Sequence, residues 1–183
     1  MSRIINLYGG PGTGKSTSAA YLFSKLKMAG NNAELVREYV KDWAWEGRTI
    51  GVYDQIYFLG KQIRKESMLF GKVDTIVTDS PVMLAGFYAE RYSPDPIKDA
   101  VDEALKGYYE QCRLDGHVHH HVFLQRSKPY NSKGRFQTAD EAVLFDKYMF
   151  DFLREREINP WMLGTEARHL DLFVEEFVKD TVV

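Results

Sequence analysis

The sequence predicts an α/β fold, a mostly parallel sheet with helices on both faces. Two observations carry this expectation. Short apolar runs ended by glycine or polar residues alternate with longer stretches of helical periodicity, the order that βαβ units require. The first apolar run also ends directly in a glycine-rich segment, GGPGTGKST at Gly9–Thr17, which opens a helix. The chain has 183 residues, 44% of them hydrophobic, enough to bury one core, so one domain over 1–183 is expected.

In order, Arg3–Tyr8 is a short apolar run closed by glycines, as a buried parallel strand is. Ser16–Ala29 has Ala19, Leu22, Phe23 and Leu26 at helical spacing and stops at Gly30-Asn-Asn. Ala33–Val36 is the second strand and leads into Arg37-Glu38-Tyr39. Ile56, Leu59, Ile63 and Phe70 give Tyr53–Phe70 a helical period, and Val73–Thr78 is a strand ending at Asp79-Ser80-Pro81. One helical stretch then reaches Arg113, followed by a strand at His119–Leu124 and a polar, basic loop from Gln125 to Thr138. Ala139–Arg156 returns to helix, with a short strand at Trp161–Leu163 and a last helix at Leu170–Lys179. No internal repeat interrupts this order.

Composition narrows the function classes. With 24 basic and 26 acidic residues the net charge is -2, so any polyanion must be held by local patches rather than a global field. The single cysteine, Cys112, excludes an intrachain disulfide and a cysteine-based zinc cluster, and reads as a buried thiol. The N-terminus runs straight into the glycine-rich motif, and no apolar run approaches the ~20 residues of a membrane span. A soluble, cytoplasmic protein without a membrane or an obligate protein partner is expected.

The pattern GxxxxGK[ST] is met by Gly9, Gly14, Lys15 and Ser16, between strand and helix as its mechanism requires, which predicts a P-loop NTPase fold. Gly10, Gly12, Thr13, Gly14, Lys15, Ser16 and Thr17 would cradle the phosphates of ATP with backbone N–H groups at a helix N-terminus. Lys15 would add a point charge for the β- and γ-phosphates, and the Ser16 hydroxyl would face Mg2+.

Asp79 stands at the carboxyl end of a strand, where open α/β sheets bind ligands, and is the candidate to hold Mg2+ or to accept a proton, although it could also cap a helix. Glu38 ends the second strand in the same way and could orient or deprotonate an acceptor hydroxyl. Arg126, Lys128, Lys133 and Arg135 lie on the loop at about 126–138, which reads as a basic lid, with Arg126 and Arg135 as its catalytic charges. Trp43, Trp45, Tyr53, Tyr57 and Phe58, with Gln55 and Gln62, offer flat faces and amide edges suited to a base, or simply core packing. The histidines at 117 and 119–121 lie along a strand, where neighbours alternate faces, and lack a metal-binding spacing.

A guanine-reading Asn-Lys-x-Asp string is absent, which disfavours a GTPase, and the further signature elements of transporter-type and AAA+ ATPases are absent too. The chain instead resembles the small P-loop kinases of the nucleoside and nucleotide kinase group. The strings VREYVKDW at 36–43, TDSP at 78–81 and RSKPYNSKGRFQTADEA at 126–142 are similar to those of phage-encoded members related to ribosylnicotinamide and thymidylate kinases. Some of these phosphorylate 5-hydroxymethyluracil in DNA, and by that resemblance this chain would be a 5-hydroxymethyl-deoxyuridine DNA kinase of the host cytoplasm. The resemblance implies Asp79 as the catalytic or magnesium-organising carboxylate, Lys15 and Ser16 as ATP and magnesium ligands, Arg126 and Arg135 as lid charges, and Glu38 facing the acceptor. Two alternatives stay open: a free nucleoside or nucleoside-monophosphate kinase, and a non-kinase nucleotide-dependent ATPase or switch that hydrolyses ATP slowly and transfers nothing to an acceptor.

Overall fold

The computed structural model describes residues 1–127 and 138–180. Its elements run β1 (Arg3–Tyr8), α1 (Lys15–Met28), β2 (Ala33–Val36), α2 (Val40–Trp45), α3 (Asp54–Ser67), β3 (Thr75–Thr78), α4 (Leu84–Tyr92), α5 (Asp95–Leu114), β4 (Val118–Gln125), α6 (Ala139–Glu155), β5 (Trp161–Gly164) and α7 (Ala167–Lys179). Among the described residues the strands form one sheet in the order β2-β3-β1-β4-β5, with every pairing parallel.

β1 lies at the centre, and Ile4, Ile5, Leu7 and Tyr8 are all buried, because helices cover both of its faces. Side chains alternate across it. Ile5 and Leu7 join Val77, Val122 and the inward residues of α1 and α7, including Leu22, Leu26 and Phe173. Tyr8 joins the larger cluster on the other face, built with α3 to α6 around Leu59, Phe87, Leu105, Met149 and Phe152. Full burial of such a side chain contributes about 1.5–3 kcal/mol each. The register sets Asn6 beside Thr78 of β3 and Tyr8 beside Phe123 of β4.

Of three departures from the expected elements, two have physical reasons. The single helical stretch before Arg113 is two helices, because Ser93 and Pro94 are extended (φ -107°, ψ 150° and φ -68°, ψ 157°), and a residue preceding proline is steered away from helix. α2 is an additional helix whose six residues are too few to show a period. β3 begins at Thr75 rather than Val73, and α7 begins at Ala167 rather than Leu170.

From β1 the chain crosses to one side of the sheet, toward β2, and from β3 it crosses to the other, toward β4. A crevice opens at such a reversal, beyond the carboxyl ends of the strands. The segments that follow β1, β2 and β3 all begin there.

Candidate active site

The glycine-rich loop turns out of β1 with Gly9, Gly12 and Gly14 at φ +143°, +81° and +98°. Gly14 is the left-handed N-cap of α1, a conformation that side chains resist, and its carbonyl starts the helix by accepting Ser18 N–H at 2.8 Å. The first turn of α1 carries no acidic residue, and Ser16 and Thr17 are exposed there, so an anion would meet a favourable helix terminus. Lys15 folds back over the loop, its Nζ donating to the carbonyl oxygens of Gly9 at 2.6 Å and Gly10 at 3.2 Å.

α6 closes on this loop through a residue the sequence reading did not single out. Asp146 accepts the Gly10 N–H at 2.5 Å with Oδ1, and its Oδ2 accepts Arg126 Nε at 2.8 Å. Arg126 Nη2 also donates to the carbonyls of Pro11 at 2.9 Å and Ala142 at 3.3 Å. Arg126 is therefore not a charge carried on an open lid; it is docked against the loop, with its side chain 16% exposed. Asp146 could have been found from its place four residues after Ala142 and three before Met149, both buried: an acid on the packed face of a helix needs a partner. Arg135, Lys128 and Lys133 lie outside the described residues. Where the chain is again described, Thr138 and Glu141 form a reciprocal capping box that fixes the start of α6.

Glu38 and Asp79, the acids that follow β2 and β3, are joined. Asp79 is buried and accepts the Glu38 N–H at 2.9 Å, which ties the ends of the two strands and aligns the backbone that carries Glu38. The second oxygen of Asp79 makes no hydrogen bond with the described residues.

Beside this pair is a small, partly open pocket of about 40 Å³, lined by Glu38, Gln55, Phe58, Gln62, Ser80 and Tyr88 among others. Burial raises the Tyr88 pKa well above its usual value, and the Glu38 carboxylate raises it further, so Tyr88 keeps its proton as a donor. Of the aromatic candidates, Phe58 reaches the pocket. Trp43 packs edge-on to Phe58 at 4.9 Å, and Tyr57 completes that cluster, its hydroxyl 2.7 Å from that of Tyr39. Trp45 and Tyr53 are not gathered in; they are 79% and 74% exposed.

The remaining candidates lie away from the crevice. His119 and His121 face α5, whereas His120 faces α7, and burial first, then neighbouring charge, holds all three pKa values at about 3 to 4, so they stay neutral. Cys112 is buried, and desolvation pushes its thiol up to about 11. No helix among the described residues is long and apolar enough to cross a membrane.

The fold is that of P-loop NTPases. It is similar to NadR in complex with NAD and AMP-PNP, at 14% identity and TM-score 0.69 over 100% of this chain and 50% of that one. NadR in complex with NR gives TM-score 0.70 at 14% identity, covering 100% of this chain and 52% of that one. This chain thus spans about half the length of the NadR chains. The APS kinase CysC of Mycobacterium tuberculosis is similar at 15% identity and TM-score 0.53, over 100% of this chain and 99% of that one. No curated protein sequence matches. Although the further signature elements of AAA+ ATPases are absent from the sequence, the family model that matches, over residues 4–168, is described as an AAA domain. By that match, the chain belongs to this AAA domain family.

Proposed function

We propose that the chain is an ATP-dependent kinase that transfers the γ-phosphate to a hydroxyl of a nucleoside-type acceptor. One observation carries the reading: the glycine-rich loop and the Glu38–Asp79 pair open onto one crevice, and a cleft with aromatic and amide walls adjoins the pair. A switch or simple hydrolase has no need of that second chamber. The likeness to NadR and to APS kinase supports the same class.

In this mechanism Lys15 leaves the Gly9 and Gly10 carbonyls for the β- and γ-phosphates, and the loop amides of Gly10 to Thr17 and the α1 N-terminus hold the triphosphate. Glu38 accepts the proton of the acceptor hydroxyl as its oxygen bonds to the γ-phosphorus and the bond to the β-phosphate oxygen breaks, leaving ADP. Asp79 keeps Glu38 in line through the backbone hydrogen bond. Arg126, docked by Asp146, and Arg135 on the lid would offset charge on the transferring group. The open oxygen of Asp79 and the exposed Ser16 hydroxyl would hold magnesium, which takes one or two protein oxygens and otherwise phosphate and water and would supply charge neutralisation to the phosphates.

The leading acceptor is the 5-hydroxymethyl group of 5-hydroxymethyluracil in DNA. Its support is the resemblance in the strings at 36–43, 78–81 and 126–142, together with the surface beside the cleft. There Lys61 lies 5.3 Å from the Tyr57 ring and Lys65 lies 5.4 Å from Tyr39, with Arg64 exposed nearby, the mix of cations and aromatic faces that single strands use. The second reading, a free nucleoside or nucleoside-monophosphate kinase of the cytoplasm, is favoured by the NadR likeness, one structure of which holds NR. Labelled γ-phosphate separates them: it is expected in 5-hydroxymethyluracil DNA, and label only in a free nucleoside or nucleotide would move the assignment to the second reading.

A further inference from the structure

Between α5 and the carboxyl end of α6 lies a second pocket of about 720 Å³, a volume in the range of small-molecule sites. It shares no lining residue with the small pocket beside Glu38. Met83 and Leu105, both buried, supply an apolar floor with Ile158, and the rings of Tyr109 and His121 stand beside it, 6.3 Å apart between centroids. A strand covered by helices in a parallel sheet is expected to turn apolar side chains toward them; β4 turns His119 and His121 toward α5 instead. His121 Nδ1 lies 2.8 Å from the Tyr8 hydroxyl, and the two rings stack at 5.6 Å. Its Nε2 is hydrogen-bonded to no described residue and is not sealed from solvent.

The rim decides the charge of a ligand. Arg156 donates to Asp102 at 3.3 Å and to Glu90 at 3.2 Å and lies over the Phe152 ring at 3.7 Å, so its charge is met by two carboxylates. Lys106 bonds Glu103 at 3.2 Å, outside the lining. Glu155 and Glu157 remain, both exposed and paired with no described cation. They stand at the carboxyl end of α6, where the partial negative charge of the helix also favours a cation. The helix closes there with Glu157 N–H on the Arg154 carbonyl and Ile158 N–H on the Leu153 carbonyl, each at 3.0 Å, a turn whose left-handed residue is usually glycine. Here that residue is Glu157, at φ +59°, so the carboxylate stands at the pocket against the local backbone preference.

We propose that this pocket binds a small organic cation with an aromatic body, and that its occupation tightens nucleotide binding at the glycine-rich loop. The aromatic body lies on Tyr109 and the apolar floor, and the charge meets Glu155 and Glu157. The same two carboxylates repel an anion. Both walls of the pocket reach the loop. Tyr8, the partner of His121, is followed directly by Gly9, and α6, whose carboxyl end forms one wall, carries the Asp146 that accepts the Gly10 N–H. A ligand spanning α5 and α6 braces α6 in the position that this hydrogen bond requires. By linkage, nucleotide tightens the cation by the same factor. The inference needs nucleotide binding only and stands apart from the kinase reading.

The test uses the full chain and three probes of one shape, benzamidine, benzamide and benzoate, titrated at low ionic strength and followed by amide NMR shifts. Benzamidine is expected to bind about tenfold more tightly than benzamide, with shifts centred on Tyr109, His121 and residues 155–158, and benzoate is expected not to bind. Glu155→Gln and Glu157→Gly are each expected to weaken benzamidine about threefold, and together about tenfold, the size of partly screened charge contacts. Glu157→Gly also relieves the left-handed backbone, so its Tm should equal or exceed that of the wild type, which separates lost binding from lost fold. Saturating benzamidine should tighten a non-hydrolysable ATP analogue about fivefold in the wild type and leave it unchanged in the double variant. Equal affinity for benzamidine and benzamide, benzamidine affinity unchanged in the double variant, or wild-type nucleotide affinity unmoved by benzamidine overturns the proposal.

Discussion

Glu66 makes its own prediction. Its carboxyl is fully buried, and desolvation, outweighing the hydrogen bonds from Tyr108 and Gln62, pushes its pKa from 4.5 up to about 7. The folded value lies above the unfolded one, so this contribution to stability is complete below about pH 4.5 and is lost as pH rises through about 7. Glu66→Gln carries no charge to desolvate. Its stability relative to wild type should therefore rise by roughly 3 kcal/mol between pH 4.5 and pH 8.5, read from urea midpoints at both. A difference that does not vary with pH would mean that Glu66 is ionised or neutral throughout. None of this was legible in the sequence. There Glu66 is one acid near the end of an amphipathic helix, and only the packing of α5 across it brings Tyr108 to its carboxylate.

At the scale of elements, the packing of α6 against the glycine-rich loop is the contact with the plainest consequence. A Cβ on Gly10 would come within 2.6 Å of Asp146 Oδ1 and 2.9 Å of the Ala142 carbonyl. The carboxylate could swing aside, but the helix backbone could not, so α6 would have to move. Gly10→Ala is accordingly expected to weaken ATP binding by about tenfold, the result of roughly 1–2 kcal/mol of overpacking, with the loss visible in the KM for ATP. Asp146→Ala should undock Arg126 and lower kcat more than it raises that KM, because the guanidinium is needed where charge develops. If Gly10→Ala left ATP binding intact, the loop would not depend on the seating of α6. The glycine motif was legible because its chemistry is local, a run of nine residues between strand and helix. The Arg126–Asp146 pair joins residues 20 positions apart in the sequence, and no local pattern marks it.

At the scale of the whole molecule, the strand order explains why a few short signals suffice for the fold but not for the acceptor. Alternation of apolar runs and helical periods implied a parallel sheet, and the order β2-β3-β1-β4-β5 brings the ends of β1 and β3 side by side, so Gly9 and Asp79 begin neighbouring loops. The pocket proposed to take the acceptor is instead assembled from three separated segments, around Glu38, along α3 and from Ser80 to Tyr88. Which of the many aromatic residues before α3 face it was set by packing: Phe58 does, while Trp45 and Tyr53 do not. The break at Ser93-Pro94, which separates α4 from α5, lies in a stretch whose composition alone reads as one helix.

The central claim is that this crevice moves phosphate to a nucleoside-type hydroxyl rather than to water. It is tested most directly by following ADP release and labelled product together, with ATP in the presence and absence of 5-hydroxymethyluracil DNA or free nucleosides. The account predicts that ADP release depends on the acceptor, matches labelled product one for one, and is abolished by Lys15→Ala. Acceptor-independent ATP hydrolysis with no phosphorylated product, or normal transfer by Lys15→Ala, would contradict it.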